Sequence, residues 1–200
     1  MTDNIIDVSH WEAPIDFAKV ASSGIVAVIA KASQGDAEID QAYAGFKAAA
    51  TKQSLLWGSY HFGTSDDASA QVEHYLATAK PTDKELVCLD FEPNPYGKPM
   101  SIGQAREFVA VFAKRTGRWP VLYGGNGLKV ALTRKADEVL SKCPLWIAQY
   151  GKKVTLPPGW DAYALWQFTE SEHHIAGVKS TDRDRFDGSD DDLRKRWPFS

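Results

Sequence analysis

The feature that most restricts what this chain can fold into is an alternation. Short apolar and β-branched runs at residues 5–10, 25–32, 56–62, 86–92, 121–124, 145–150 and 163–168 read as strands. Between most of them lie longer segments with helical periodicity. In "IDQAYAGFKAAATKQ", Ile39, Tyr43, Phe46 and Ala50 fall along one face, and in "DASAQVEHYLATAK" Val72, Tyr75, Leu76 and Ala79 do the same. "SIGQAREFVAVFAKRTG" opens on Ser101 as an N-cap, carries Gln104 where a capping box needs it, and stops at Gly117. Strands joined through helices run parallel, so this order predicts a parallel sheet, either closed into a barrel or doubly wound.

After Tyr150 the helical periodicity fades into strand and loop, with "DDDLRKRW" as a closing helix. A regular eight-helix barrel needs roughly 250 residues, and this chain has 200. The expected α/β fold is therefore an irregular, reduced TIM-like barrel: about five β/α units, then three strands with little helix between them. One domain over residues 1–200 is expected. The formal charge of -3, with acids and bases interspersed, gives no case for nucleic acid or an anionic membrane surface. Apolar runs such as "GIVAVIA" are too short to span a bilayer, and "MTDNIIDVSH" lacks the basic and apolar parts of a secretory signal. A monomer made in the cytoplasm is expected. Cys88 and Cys143 lie in or beside apolar runs and are expected as buried free thiols.

In parallel α/β folds chemistry collects at the C-terminal ends of strands. Those ends deliver Asp7, Ser9 and His10; Lys31; Tyr60, His61 and Phe62; Asp90 and Glu92; Tyr123; Trp146, Gln149 and Tyr150; and Trp166 and Gln167. A last, weak segment adds Asp182 and Asp184. In "ELVCLDFEPN", residues two apart face one side, so Leu86, Cys88, Asp90 and Glu92 share a face, with Cα atoms of the two acids roughly 6–7 Å apart. Carboxyl groups that close repel, and one pKa rises. A raised acid donates a proton near neutrality while an ionised neighbour stabilises developing positive charge, which suits glycosidic bond cleavage. The same spacing at Asp36–Glu38 and Asp83–Glu85 lies in polar surroundings and reads as solvated loop charge. His61 is expected buried and hydrogen-bonded, and the adjacent His173 and His174 lack partners at zinc-ligand spacing. No Gly-rich phosphate loop or serine elbow occurs. No metal or cofactor is expected.

The same residues resemble glycoside hydrolase family 25 lysozymes of the Chalaropsis type. "DVSHWEAPIDF" is similar to their D-x-S-x-W/H…I-D-F opening, "AVIAKASQG" to their K-A-T-E-G strand end, and "WGSYHF" to G-x-Y-H-F. "CLDFE" resembles L-D-x-E, "PLWIAQY" resembles L-W-I-A-x-Y, "ALWQFT" resembles W-Q-Y/F-T, and "GVKSTDRDRFDGSDDDL" resembles the closing G-x-x-x-x-V-D-x-N-x-F-x-G. The likeness is collinear from Ile5 to about Leu193. It implies a (β/α)5(β)3 barrel that cleaves the β-1,4 bond from N-acetylmuramic acid to N-acetylglucosamine in peptidoglycan. By position it implies Glu92 as proton donor, Asp90 as the acid that orients the substrate's 2-acetamido group, and Asp7 and Asp182 as the other acids of the site. Lys31, Tyr60, Tyr123 and Trp166 would lie near the substrate, and the aromatic and amide groups Phe62, Trp146, Gln149, Tyr150 and Gln167 complete the expected binding set. Two departures stand out: Gln34 where the family usually has Glu, and Asp184 where it usually has Asn.

A non-catalytic peptidoglycan-binding barrel is the competing reading, and a metal-dependent hydrolase a third. An enzyme made inside the cell needs a route to its glycan strands. A phage endolysin freed through a pore fits, and so does a toxin delivered into a rival's periplasm, with a cognate immunity or inhibitor protein as partner.

Overall fold

A computed structural model describes residues 1–199 apart from His173, so the expectation for that histidine lies outside the described residues. The elements are β1 (Thr2–Val8), α1 (Phe17–Ser22), β2 (Ala27–Gln34), β3 (Glu38–Ile39), α2 (Tyr43–Lys52), β4 (Leu56–Phe62), α3 (Ala68–Ala79) and β5 (Leu86–Asp90). They continue with α4 (Ile102–Thr116), β6 (Val121–Gly124), α5 (Asn126–Ala131), β7 (Leu145–Ala148), β8 (Leu165–Glu172), β9 (Thr181–Phe186) and α6 (Asp190–Arg196).

Hydrogen bonding runs β1-β2-β4-β5-β6-β7-β8-β9 and returns from β9 to β1, which closes a ring; β3 is a short flap on the edge of β2. The first five strands of the ring are each followed by a helix packed on the barrel wall; β7 and β8 are not, and α6, after β9, ends the chain. This is the (β/α)5(β)3 barrel that the alternation predicts. The sheet is not wholly parallel, however. β9 runs antiparallel to both β8 and β1. The link from β8 to β9 is too short to carry a crossover, so the chain must turn back on itself.

Local rules place the helices. Ser101 and Gln104 form the reciprocal capping box at the start of α4, and Gly117, at φ +78°, ends it in the left-handed conformation that favours glycine. Asp67 accepts from the Ala70 N–H to start α3. Alternation along the strands then divides the core in two. Ile5, Ile29, Leu86, Cys88, Val121 and Leu165 fill the barrel interior, while Val28, Val87, Leu89, Phe91, Leu122 and Ile147 pack outward under the helices. Both cysteines are buried and unbonded, as expected.

The barrel's lower end, where the parallel strands begin, is stoppered by the C-terminal segment. Leu193 and Trp197 join the interior cluster, and the Trp197 Nε1–H donates to the Trp57 carbonyl at 3.2 Å. Asp190 accepts from the Thr2 hydroxyl and the Asn4 amide, tying α6 to β1. The upper end is left open.

Strand ends differ from the sequence pattern in one consequential place. The run 86–92 pairs only as far as Asp90. The Phe91 N–H still donates to the Tyr123 carbonyl at 3.0 Å, and Pro93 then removes the next-but-one donor. Glu92 therefore leaves the sheet at the barrel mouth and is half-buried, while Asp90 stays within it.

Candidate active site

Seven strands contribute to the open end of the barrel. Asp7 comes from β1, Tyr60 from β4, Asp90 and then Glu92 from β5, Tyr123 from β6, Trp146 from β7, Gln167 from β8 and Asp182 from β9; together they line one recess of about 100 Å³. Asp182 enters from the opposite direction to the rest. β9 is antiparallel, so its beginning, not its end, lies at the mouth, and the register sets Asp182 directly across from Asp7.

Gln167 is the hub. Its amide Nε2–H donates to Asp7 at 2.9 Å and to Asp182 at 3.3 Å. Its carbonyl oxygen accepts from the hydroxyls of Tyr123 at 2.9 Å and Tyr150 at 3.2 Å. One buried amide thus fixes two acids and two phenols, and each of its polar atoms is used. Trp146 packs edge-on against Tyr123 with ring centroids 4.7 Å apart, and donates its indole N–H to Asp184 at 2.6 Å.

The acids are crowded and poorly solvated. Burial pushes Asp90 well above the usual carboxylate range, repulsion from Glu92 adds to this, and the Lys31 charge partly opposes it. Burial also raises Glu92, against the nearby Tyr123 hydroxyl, and the charge of Asp182 adds to the rise. Two acids that interact this closely titrate as a pair. The pair retains a proton at a pH where isolated carboxyl groups have lost theirs, because removing it would leave two close charges with little water. Asp90 is 4 % exposed and its Oδ1 has no partner among the described residues. Asp7 is raised well above the ordinary range by burial and by Asp184 and Asp182; Asp182 is raised by its own burial.

Several expected binding residues lie elsewhere. Trp166 faces outward: it is 4 % exposed, donates its Nε1–H to the Gln149 carbonyl at 2.7 Å, and carries the Arg185 guanidinium over its ring. Adjacent strand residues face opposite sides, so with Gln167 inside, Trp166 cannot be. Lys31 donates to Gln34 Oε1 at 2.6 Å and sits 5.1 Å from the centroid of the Phe62 ring. Neither Lys31 nor Phe62 lines the recess, although the Lys31 charge still reaches Asp90. Gln149 and Tyr150 border a neighbouring concavity with Asn126, Lys129 and Glu92. There Lys129 donates to Gln149. No sequence signal marked Lys129, which is one of many lysines on helix surfaces. His61 is buried as expected, against Ser33 and Gln71, and its pKa falls to about 3 because burial disfavours its charged form. Among the described residues no group of three or more His, Cys, Asp or Glu side chains has the geometry to hold a metal ion.

An α/β barrel whose mouth gathers four carboxyl groups around an amide hub, two of them consecutive inward positions of one strand end, is built as a glycoside hydrolase is built. The profile of Glycosyl hydrolases family 25 matches residues 6–178, and the chain belongs to that family. It is 28 % identical over 199 residues to Lysozyme M1 of Streptomyces globisporus, covering 92 % of this chain and 67 % of that one. Its fold superposes on the bacterial lysozyme from Streptomyces coelicolor with a TM-score of 0.85 at 27 % identity, covering 94 % of each chain. The family 25 lysozyme from Aspergillus fumigatus gives a TM-score of 0.83 at 28 % identity, covering 95 % of this chain and 96 % of the other.

Proposed function

We propose that this chain is a muramidase that hydrolyses the β-1,4 bond between N-acetylmuramic acid and N-acetylglucosamine in peptidoglycan, with Glu92 as proton donor and Asp90 assisting. The observation that carries the assignment is the pair itself. Asp90 is sunk in the sheet with one oxygen unpartnered, and Glu92 stands just outside it at the mouth, both raised and both lining the same recess.

The division of labour follows from depth. Glu92, half-exposed, is placed to reach a glycosidic oxygen in the groove and to deliver the proton that the pair retains. Asp90, ionised while the pair's single proton rests on Glu92, accepts a hydrogen bond from the N–H of a 2-acetamido group. That contact turns the acetamido carbonyl toward the anomeric carbon, where it displaces the leaving oxygen; water then opens the cyclic intermediate. Asp7 and Asp182, held by Gln167, accept hydrogen bonds from sugar hydroxyls. Tyr123 and Trp146 give the recess an aromatic wall.

Glu92→Gln tests the assignment, since the amide keeps the shape and loses the proton. Mass spectra of peptidoglycan digests should show reducing-end muramic acid products from the wild type and at least about a thousandfold less from the variant. The variant should still bind undigested glycan. Equal turnover by the two proteins would remove Glu92 from the mechanism.

A further inference from the structure

Beneath the recess lies an acid for which the mechanism has no use. Asp184 is two residues along β9 from Asp182, on the same inward face, and its register partners are Ile5 on β1 and Gln167 on β8. It is 0 % exposed. One carboxyl oxygen accepts from the Trp146 indole at 2.6 Å. The other is buried and has no donor among the described residues. The Asp184 carboxyl group lies diagonal to that of Asp7 across the β1–β9 register, and the two side chains are close enough to share a hydrogen bond. Two ionised carboxylates cannot make that bond, since each only accepts.

We propose that Asp184 is a positioning residue that shares one proton with Asp7 and thereby fixes the Asp7 carboxyl group, with a single negative charge on the pair, in its orientation toward the substrate. The inference rests on the muramidase reading for what Asp7 does, but not for the proton. The surroundings favour such a pair. Toward it face Tyr60 on β4, Cys88 on β5 and Tyr123 on β6, all held neutral by burial, and the uncharged Trp146 and Gln167 on β7 and β8. Asp182 is the nearest further acid and opposes ionisation of both members. The cations donate elsewhere, Arg183 to the Asp3 carbonyl and Lys31 on β2 to Gln34, while the Arg183 charge still opposes the rise at Asp184. Burial pushes Asp184 up to about 8 and Asp7 well above its ordinary value. As the pH passes that value the shared proton leaves, the two carboxylates repel, and Asp7 is no longer held.

The test separates binding from turnover. In the Glu92→Gln background, affinity for an undigested glycan strand is measured by calorimetry from about pH 6 to about pH 9. Affinity should fall about tenfold across this range, the worth of one hydrogen bond to a charged group. With Asp184→Asn added, the fall should shrink to less than about twofold, because an amide donates to Asp7 at every pH. With Asp184→Ala added, affinity should be low throughout. In infrared titration of the unliganded proteins, the wild-type minus Asp184→Asn difference should isolate a neutral carboxyl band that is lost near pH 8, apart from the band that the Asp90–Glu92 pair gives both proteins. The proposal fails if the difference between the two proteins holds no such band, or if Asp184→Asn leaves the pH dependence of binding unchanged. Absence of muramidase turnover in the wild type would overturn the functional reading and leave the infrared result standing.

Discussion

Asp90 and Glu92 show how one step along a backbone separates two roles. Both descend from the same apolar run, yet one ends inside the hydrogen-bonded sheet and the other just beyond it. The consequence for chemistry is stereochemical. If Asp90 orients a substrate acetamido group and the sugar's own carbonyl attacks, two inversions occur at the anomeric carbon and the first-formed product retains its β configuration. Proton NMR of freshly digested glycan should show the β-anomer of the new reducing end first, with the α-anomer growing only by mutarotation. An initial α-product would mean that water attacks directly and would remove the acetamido group from the mechanism. Much of this site could be read from residue type and spacing: the four acids, Tyr60, Tyr123, Trp146 and Gln167 meet where the strand ends were expected to bring them. Trp166 was legible only in part. Its motif is aromatic and lies at a strand end, but which of two neighbours faces inward depends on register, and Gln167 took the inner place.

At the scale of elements, α2 and α3 were visible from their apolar stripes, and α4 because its cap, its glycine stop and its stripe agree with one another. The reversal of β9 was not, because its sequence "TDRDRF" carries four consecutive charges, on a strand whose inward face is itself polar. The pattern that marks a strand is absent where the strand lines a polar site. α5 shows a different constraint. A Cβ on Gly124, at the end of β6, would stand 2.9 Å from Leu128 Cβ on α5 and 3.2 Å from the Phe91 carbonyl. The helix packs on bare backbone at the point from which the chain leads to Glu92. Gly124→Ala should cost about 1–3 kcal/mol in urea unfolding, the range for overpacking. It should also lower kcat more than it raises KM, because the forced shift moves the Phe91–Glu92 segment. Wild-type stability and activity in this variant would show that α5 yields freely.

At the scale of the whole molecule, buried ionisable groups pull stability in opposite directions with pH. His61 has its pKa lowered from 6.5 to about 3, so the folded protein binds fewer protons than the unfolded chain between those values, and stability rises with pH there. Asp184 is raised from 3.8 to about 8, so the folded protein binds more protons in that interval and stability falls as pH rises. The two oppose one another up to about pH 6.5; above it only the acids act, with Asp7 and Asp90 adding in the same direction. Thermal unfolding should therefore give a Tm that declines between about pH 6.5 and pH 8, and Asp184→Asn should flatten that decline. A Tm that climbs through this interval would contradict the burial argument. The stopper at the lower end bears on use rather than chemistry. Thr2 and Trp197 both lie at the face opposite the acids, joined there through Asp190 and Trp57. A tether, fluorophore or surface linkage attached to either end would thus point away from the groove, and the enzyme could be anchored without shielding it from a wall fragment.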